Sequence, residues 1–568
     1  MTTEWDYVTD LVVVGSGGGL AAPLVADAEN LESLVIEKSD LLGGSTAMSG
    51  GVIWLPNNPL MQDEGVPDSF EEGMEYFAAV VGDVGPASSI ARRAAYITEG
   101  SKMVRFLQGL GVKFVRCEGY SDYYADVRGI PAGKARGRSI EPTPFDSHEL
   151  GPWRQKMRIA FTGGIAILTG EASKVGLVKR SPKAAMVAAR VAIRTTTGRL
   201  KRQSLITNGA ALIGQTLNVL IRRAIPIWTE TSLEDLIVED GRVVGVLVSK
   251  NGKQMRVRAR TGVVLAAGGF ARNPVMRKEF GGDQPNSSEW TSANPGDTGE
   301  VIQIAMSHGA ATDLMDEAWW IPSSILPDGT PAMCISERSK PGSIMVDTAG
   351  RRFFNEAVSY MEAGQEMYKH ERTVGGAVPT WLIMDARARN RYTFAFRPPG
   401  VTPKEWLTSG YMKKADTLEE LADLCSIDGA ELVKTVERFN GFAATGVDPD
   451  FHRGEGAHEK YQGDITNKPN ACLGPLDKAP YYAVAMYPGD VGTSGGLLCD
   501  EYARVLDEHG DPIPGLYAAG NCTASVMGRH YLGAGSSIGA SFVFAYVAAK
   551  HAAEAARRAA TLEVQPAT

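Results

Sequence analysis

Asp10-Leu-Val-Val-Val-Gly15-Ser-Gly-Gly-Gly19 is the stretch that decides the fold. The apolar run from Leu11 to Val14 has no polar alternation, as a strand covered on both faces requires. Glycines follow at once, and a helix is predicted to begin near Gly19. Leu34-Val-Ile-Glu37 reads as the next strand, so the segment is one βαβ unit. Glu37 stands 22 residues after Gly15. Dinucleotide binding needs this arrangement: glycines let the backbone approach a pyrophosphate, the helix N-terminus presents N–H groups, and the acid accepts from ribose hydroxyls. Leu20 stands where a third small residue is usual, so Gly18 and Gly19 are expected to supply the close packing.

Leu236 to Val248 reads as a hairpin with Asp240-Gly241 as its turn. Val263-Val-Leu-Ala-Ala-Gly-Gly269 is a further buried strand ending in glycines. Near the C-terminus, Gly515-Leu-Tyr-Ala-Ala-Gly-Asn521 has the same form, and a long Ala-rich helix is predicted from about Ser541 to Ala560. Gly296-Asp-Thr-Gly299 has two readings: it opens a helix with Asp297 or Thr298 as its cap, or it faces the bound cofactor. Between about Ala318 and Tyr482 no strand–glycine–helix pattern occurs. The fold expected is α/β: a Rossmann-type domain split by an inserted second domain of α+β type. Its boundaries are placed at 1–317, 318–485 and 486–568, with a C-terminal helix in the last part.

At 568 residues the chain is long enough for several domains. Its net charge of −8 excludes an ordinary nucleic-acid binder. Residues 151–202 run against the balance, with twelve Lys or Arg and one acid, Glu171; that segment is +11 and the remainder −19. Basic and apolar runs alternate through it, as at Trp153-Arg-Gln-Lys-Met-Arg158 and Ala184 to Arg194. Such a stretch suits an anionic membrane surface, the alternatives being a solvated loop or a subunit contact. The six cysteines, Cys117, Cys334, Cys425, Cys472, Cys499 and Cys522, have neither metal-ligand nor framework spacing. Reduced thiols and a cytoplasmic location, peripheral on the inner face of the membrane, are expected. None of the eight histidines has a partner at ligand or triad spacing; no metal is expected.

Gly43-Gly-Ser-Thr-Ala-Met-Ser-Gly-Gly51, Leu265 to Gly269 and Gly515 to Asn521, taken with the first βαβ unit, resemble the flavoprotein fold of the fumarate reductase and succinate dehydrogenase superfamily. The resemblance covers nearly the whole chain and implies FAD. It places Gly15, Gly17, Gly18, Gly19, Glu37, Lys38, Gly44, Ser45, Thr46, Ser49, Gly50, Gly51, Ala267, Gly268, Gly520, Asn521, Ser536, Ser537 and Ile538 around that cofactor.

Dicarboxylate enzymes of that superfamily resemble the chain at Arg352-Phe-Phe-Asn-Glu356. They carry an Arg proton donor four residues after the Glu, where Tyr360 stands here. Their histidine-bearing segment corresponds to Val491-Gly-Thr-Ser-Gly-Gly496, which has none. A desolvated dianion would lose its counter-charges, so a fumarate reductase-like reading is disfavoured. Asp122-Tyr-Tyr124, Asn355 to Tyr360 and Tyr531-Leu-Gly-Ala-Gly535 are instead similar to the active-site segments of 3-ketosteroid Δ1-dehydrogenases. The resemblance implies Tyr360 as the base at C2, Tyr123 as its hydrogen-bond partner, and Tyr531 with the Gly535 N–H as donors to the C3 oxygen. A hydride would leave C1 for the flavin N5. It implies a 3-ketosteroid substrate and an external electron acceptor such as a quinone. Tyr120 and Tyr124 compete with Tyr123 for its role. Two alternatives remain open: a Δ4-(5α)-dehydrogenase and a non-catalytic flavin-binding subunit.

Overall fold

The structure is a computed structural model that describes residues 4–159, 164–282 and 284–564. Strand Tyr7–Val14 lies between two parallel neighbours, Ser33–Ile36 and Lys253–Leu265. Val13 is paired with Val35 on one side and Val264 on the other, and all three are buried. Strand Pro512–Ala518 joins beyond Lys253–Leu265, also in parallel. The C-terminal segment therefore returns to the same eight-stranded sheet.

Strand Lys253–Leu265 begins earlier than the apolar run at Val263 suggests. Its first half pairs antiparallel with Arg242–Lys250, and that strand pairs with Thr231–Glu239. Asp240 and Gly241, both at positive φ, make the tight turn that matches strand twist. The long strand thus serves an edge hairpin and the buried sheet, which is why it alternates before it becomes wholly apolar.

After the first strand, a 3-10 turn at Gly18–Leu20 leads into helix Ala21–Ala28. A Cβ at Gly19 would lie 2.5 Å from the Cβ of Ala266, and one at Gly18 would lie 2.4 Å from that of Ser541. Gly18 and Gly19 do supply the close packing, one against the C-terminal helix and one against the strand end. That helix runs Ser536–Val564 and starts five residues before the Ser541 expected. Its first turn, Ser536-Ser-Ile-Gly-Ala540, has weak intrinsic propensity, and close packing sets it instead: a Cβ at Gly539 would meet the hydroxyl of Tyr96 at 2.4 Å.

A second sheet of six strands is antiparallel throughout and contains Ala318–Ile325, Ser343–Val346, Thr380–Asp385 and Tyr481–Thr493. Tyr481–Thr493 crosses the expected boundary at 485, so this sheet reaches Thr493. A strand continues while its ladder partners continue, and Thr493 still pairs with Ala318. Helix Tyr360–Thr373 packs on strand Ala318–Ile325, where a Cβ at Gly364 would lie 2.6 Å from that of Trp320. All six cysteines are free and buried. Among the described residues no helix is long and apolar enough to cross a membrane.

Candidate active site

A cavity of about 670 Å³ runs from the glycine turn of the first βαβ unit to the edge of the second sheet. At its first end lie Gly15, Gly17, Gly18 and Gly19, then Glu37 and Lys38. Gly15 has φ +104°, and a Cβ there would come within 2.4 Å of the Ala266 carbonyl oxygen. Glu37 points its carboxylate back at this turn, accepting from the Ser16 N–H at 3.2 Å, the Ser16 hydroxyl at 2.6 Å and the Ser39 N–H at 2.9 Å. Lys38 turns to Thr298 and Glu300. Gly44, Ser45, Thr46, Ser49, Gly50 and Gly51 form one wall, Ala267 and Gly268 a second, and Gly520, Asn521, Ser537 and Ile538 a third.

Ser536 alone of the expected cofactor residues is off this wall. Its hydroxyl donates to the Gly533 carbonyl at 2.8 Å and is wholly buried, because the tight turn into the C-terminal helix uses it. Of the two readings of Gly296 to Gly299, the cap by Asp297 or Thr298 is the one corrected. Helix Glu300–Ser307 starts from Gly299, with no side-chain cap. Asp297 lies buried on the cavity wall, where its carboxylate accepts from Ser45 at 2.7 Å. Burial raises its pKa to about 6, with Ser45 and Asn294 opposing. Nothing in the spacing of Gly296 to Gly299 distinguishes a cap from a wall.

At the other end the four residues expected to carry chemistry come together. Tyr360 is the first residue of its helix, set there by the Ser359 hydroxyl accepting from the Glu362 N–H at 3.2 Å. Glu356, just upstream, is buried and held by Arg352 at 2.7 Å and Arg453 at 3.1 Å, so it fixes the approach to the helix. The ring centroids of Tyr123 and Tyr360 are 5.5 Å apart, those of Tyr123 and Tyr531 5.7 Å. Tyr531 also bonds the Ser537 hydroxyl at 3.2 Å and takes the edge of Trp319 at 5.2 Å. Gly535 has φ +96°, and a Cβ there would lie 2.2 Å from the Val52 carbonyl oxygen. Among the described residues its N–H has no acceptor.

Within Asp122-Tyr-Tyr124, the structure distinguishes the three side chains. Asp122 is an anchor, buried against Arg138 at 2.9 Å and the Trp54 indole N–H at 2.8 Å. Tyr124 turns to Ser359 at 3.5 Å, away from the cavity. Tyr123 faces Tyr360. Burial, then Tyr531, holds the Tyr360 phenol well above its ordinary pKa, while a hydrogen bond from Tyr123 works the other way. Tyr123 is raised too, by burial first and then by Tyr120, Tyr360 and Tyr531.

Two further residues join the cluster, Tyr120, which stands near Tyr123 in sequence, and His458, for which spacing gives no signal. Tyr120 lines the cavity, with its phenol pushed up to about 12 by burial. His458 lies 4.1 Å from the Tyr123 ring, and burial, helped by Arg338, depresses it to about 3. It is therefore a neutral aromatic neighbour.

A dinucleotide cradle opening directly onto a phenol-lined apolar chamber defines a class, a flavoprotein oxidoreductase for a neutral substrate. The family model described as FAD binding domain matches residues 10–538. The 3-oxosteroid 1-dehydrogenase of Mycolicibacterium smegmatis is 41% identical over 555 residues, spanning 95% of this chain and 96% of that protein. The crystal structure of 3-ketosteroid Δ1-dehydrogenase from Sterolibacterium denitrificans, in complex with 1,4-androstadiene-3,17-dione, superposes with a TM-score of 0.90 at 38% identity, covering 96% of this chain and 100% of that one. The 3-ketosteroid Δ4-(5α)-dehydrogenase of Rhodococcus jostii superposes at 0.68 with 25% identity, covering 97% and 98%. This chain belongs to the FAD-dependent 3-oxosteroid 1-dehydrogenase family, and its cofactor is FAD.

Proposed function

We propose that this protein converts 3-keto-4-ene steroids to 3-keto-1,4-dienes. The observation that carries the reading is the Tyr360–Tyr531 pair facing the cavity beside the Gly535 N–H, which has no acceptor among the described residues. Tyr531 and Gly535 donate to the C3 oxygen, where charge builds as the C2 proton leaves; two preorganised donors form an oxyanion hole. Tyr360 takes that proton. Tyr123 donates to Tyr360 and so favours its phenolate, against the burial that disfavours it. Gly15, Gly17, Glu37, Ser45, Gly268 and Asn521 hold FAD, whose flavin, when bound, supplies the acceptor for the C1 hydride.

The experiment is anaerobic bleaching of the flavin by androst-4-ene-3,17-dione, with a 5α-saturated 3-ketosteroid and succinate alongside. Bleaching by the 4-ene-3-one with a 1,4-diene product is expected. Bleaching by the 5α-steroid alone would assign Δ4 chemistry instead, and no bleaching by any of the three would favour a non-catalytic flavin subunit.

The two sheets support the proposed division into 1–317, 318–485 and 486–568, with the last strand of the second sheet running on to Thr493. The basic segment carries a second reading, docking on the inner face of an anionic membrane. Helix Pro182–Leu200 buries Ala184, Val191 and Gly198 on one side. Opposite, Met186, Ile193 and Leu200 repeat every seven residues and are 63%, 66% and 78% exposed. Lys183, Lys201 and Arg202 form no ion pair among the described residues. Each basic group near anionic headgroups contributes about 1 kcal/mol. Ile167, Leu168 and Ala172 of the same segment line the cavity, so docking would bring its mouth to the lipid. A membrane quinone would then suit as external electron acceptor. Sedimentation with phosphatidylglycerol vesicles, lost in the Met186→Ser/Ile193→Ser/Leu200→Ser variant, tests it.

A further inference from the structure

Phe396 is 57% exposed and yet lines the cavity, so it stands at the mouth. It is the tip of a tight turn in which the Phe394 N–H donates to the Arg397 carbonyl at 3.1 Å and the Arg397 N–H donates back at 2.9 Å. Both central residues are left-handed, Ala395 at φ 43° and Phe396 at φ 63°. Turns of this kind are normally built from Asn and Gly, because a Cβ is strained there. The turn is therefore imposed by its surroundings. Half-buried Glu337 accepts from the Ala395 N–H, and the Phe394 ring packs on Trp406 at 6.0 Å. The Lys179 ammonium reaches the Pro399 carbonyl at 3.4 Å, tying the following loop to the basic segment. Strained residues held in this way cluster at ligand clamps.

The cavity that Phe396 lines has an apolar part of its wall formed by Leu168, Ala172, Met333 and Ile335. The polar groups, Tyr123, Tyr360 and Tyr531, are at the inner end. A steroid is a rigid tetracycle. Held by its C3 oxygen at the phenols, it must direct its D-ring away from them, toward the mouth. We infer that Phe396 closes over the D-ring end of the bound steroid and determines which C17 substituents the site accepts. The inference rests on the 3-ketosteroid reading above.

The test compares kcat/KM for cholest-4-en-3-one, which carries a long C17 chain, with that for androst-4-ene-3,17-dione, in wild type, Phe396→Ala and Phe396→Asn. Phe396→Asn keeps a residue that favours the turn, so it separates loss of the ring from loss of the fold. Removing one wall of an apolar pocket shifts discrimination by about tenfold. The ratio is expected to move toward the long-chain substrate by about that factor in both variants. A ratio unmoved in both variants would overturn the assignment of Phe396 while leaving the dehydrogenase intact. Failure of wild type to be bleached by either steroid would instead overturn the 3-ketosteroid reading itself.

Discussion

The rings of Tyr360 and Tyr531 meet with centroids 5.0 Å apart and planes inclined at 53°, one from the start of a helix on the second sheet and the other from the loop leading into the C-terminal helix. The separate parts of the chain meet at this pair, and the chemistry divides between them.

Replacing Tyr360 with Phe removes the base and leaves the ring packing in place. A general base contributes about 10²–10⁴-fold. Turnover of androst-4-ene-3,17-dione is expected to fall by about three orders of magnitude with flavin content and melting temperature unchanged. Rapid-mixing reduction of the flavin by steroid measures it. Tyr531→Phe should lower the rate by about 10²-fold, as for loss of one oxyanion donor. If the two variants were equally silent structurally and kinetically near wild type, the roles assigned to the pair would be wrong.

The pH dependence follows from burial. The Tyr360 pKa is raised, so at neutral pH most of the population is protonated and the phenolate fraction grows about tenfold per unit. The rate of flavin reduction should therefore rise continuously from pH 7 toward pH 10. Tyr123→Phe removes the hydrogen bond that opposes the shift, and the rising limb should move to higher pH. A rate flat across this range would exclude a tyrosine base.

Gly535→Ala places a Cβ 2.2 Å from the Val52 carbonyl oxygen at φ +96°. Backbone cannot yield cheaply there. A lower melting temperature and loss of steroid-induced bleaching are expected together, with the calorimetric scan as the measure. Gly15→Ala makes the same clash at the other end of the cavity, against the Ala266 carbonyl oxygen at 2.4 Å. It should yield protein with little bound flavin, read from the visible absorbance after gel filtration.

His458 gives a stability prediction. Its folded pKa is about 3, against 6.5 for an ordinary imidazole. Between these values the unfolded chain binds the proton and the folded chain does not, so stability falls as pH drops through this window. His458→Phe keeps a ring on Tyr123 and removes the titration. The decline in melting temperature between pH 7 and pH 5 should be smaller than in wild type; an equal decline would place the acid sensitivity in other groups.

The dinucleotide half was legible because its chemistry is local. Gly15 to Gly19, the strand before them and Glu37 form a continuous segment, and each residue type has a backbone reason to be there. The same holds for the returning strand at Gly515 to Ala518. Ser536 was misplaced, and Asp297 was left between two readings, because a serine or aspartate beside glycines can cap, turn or face a cavity. Only the neighbouring backbone decides which.

What the sequence determined by itself is the βαβ cradle, the return of the C-terminal strand, and the residue types at positions 123, 360, 531 and 535. The cradle and the returning strand follow from short-range periodicity and motif; the four positions follow from the resemblance to 3-ketosteroid Δ1-dehydrogenase segments, and the absence of cations beside them disfavours a dianion site. Only the tertiary structure decided which phenols meet. Tyr123 rather than Tyr124 faces Tyr360, because Asp122 is pinned by Arg138 and Trp54 and so sets which way its successors turn. His458 joins Tyr123 across a long stretch of chain for the same reason. Contacts between distant segments are selected by packing, and a linear pattern does not encode which buried ring another ring will meet.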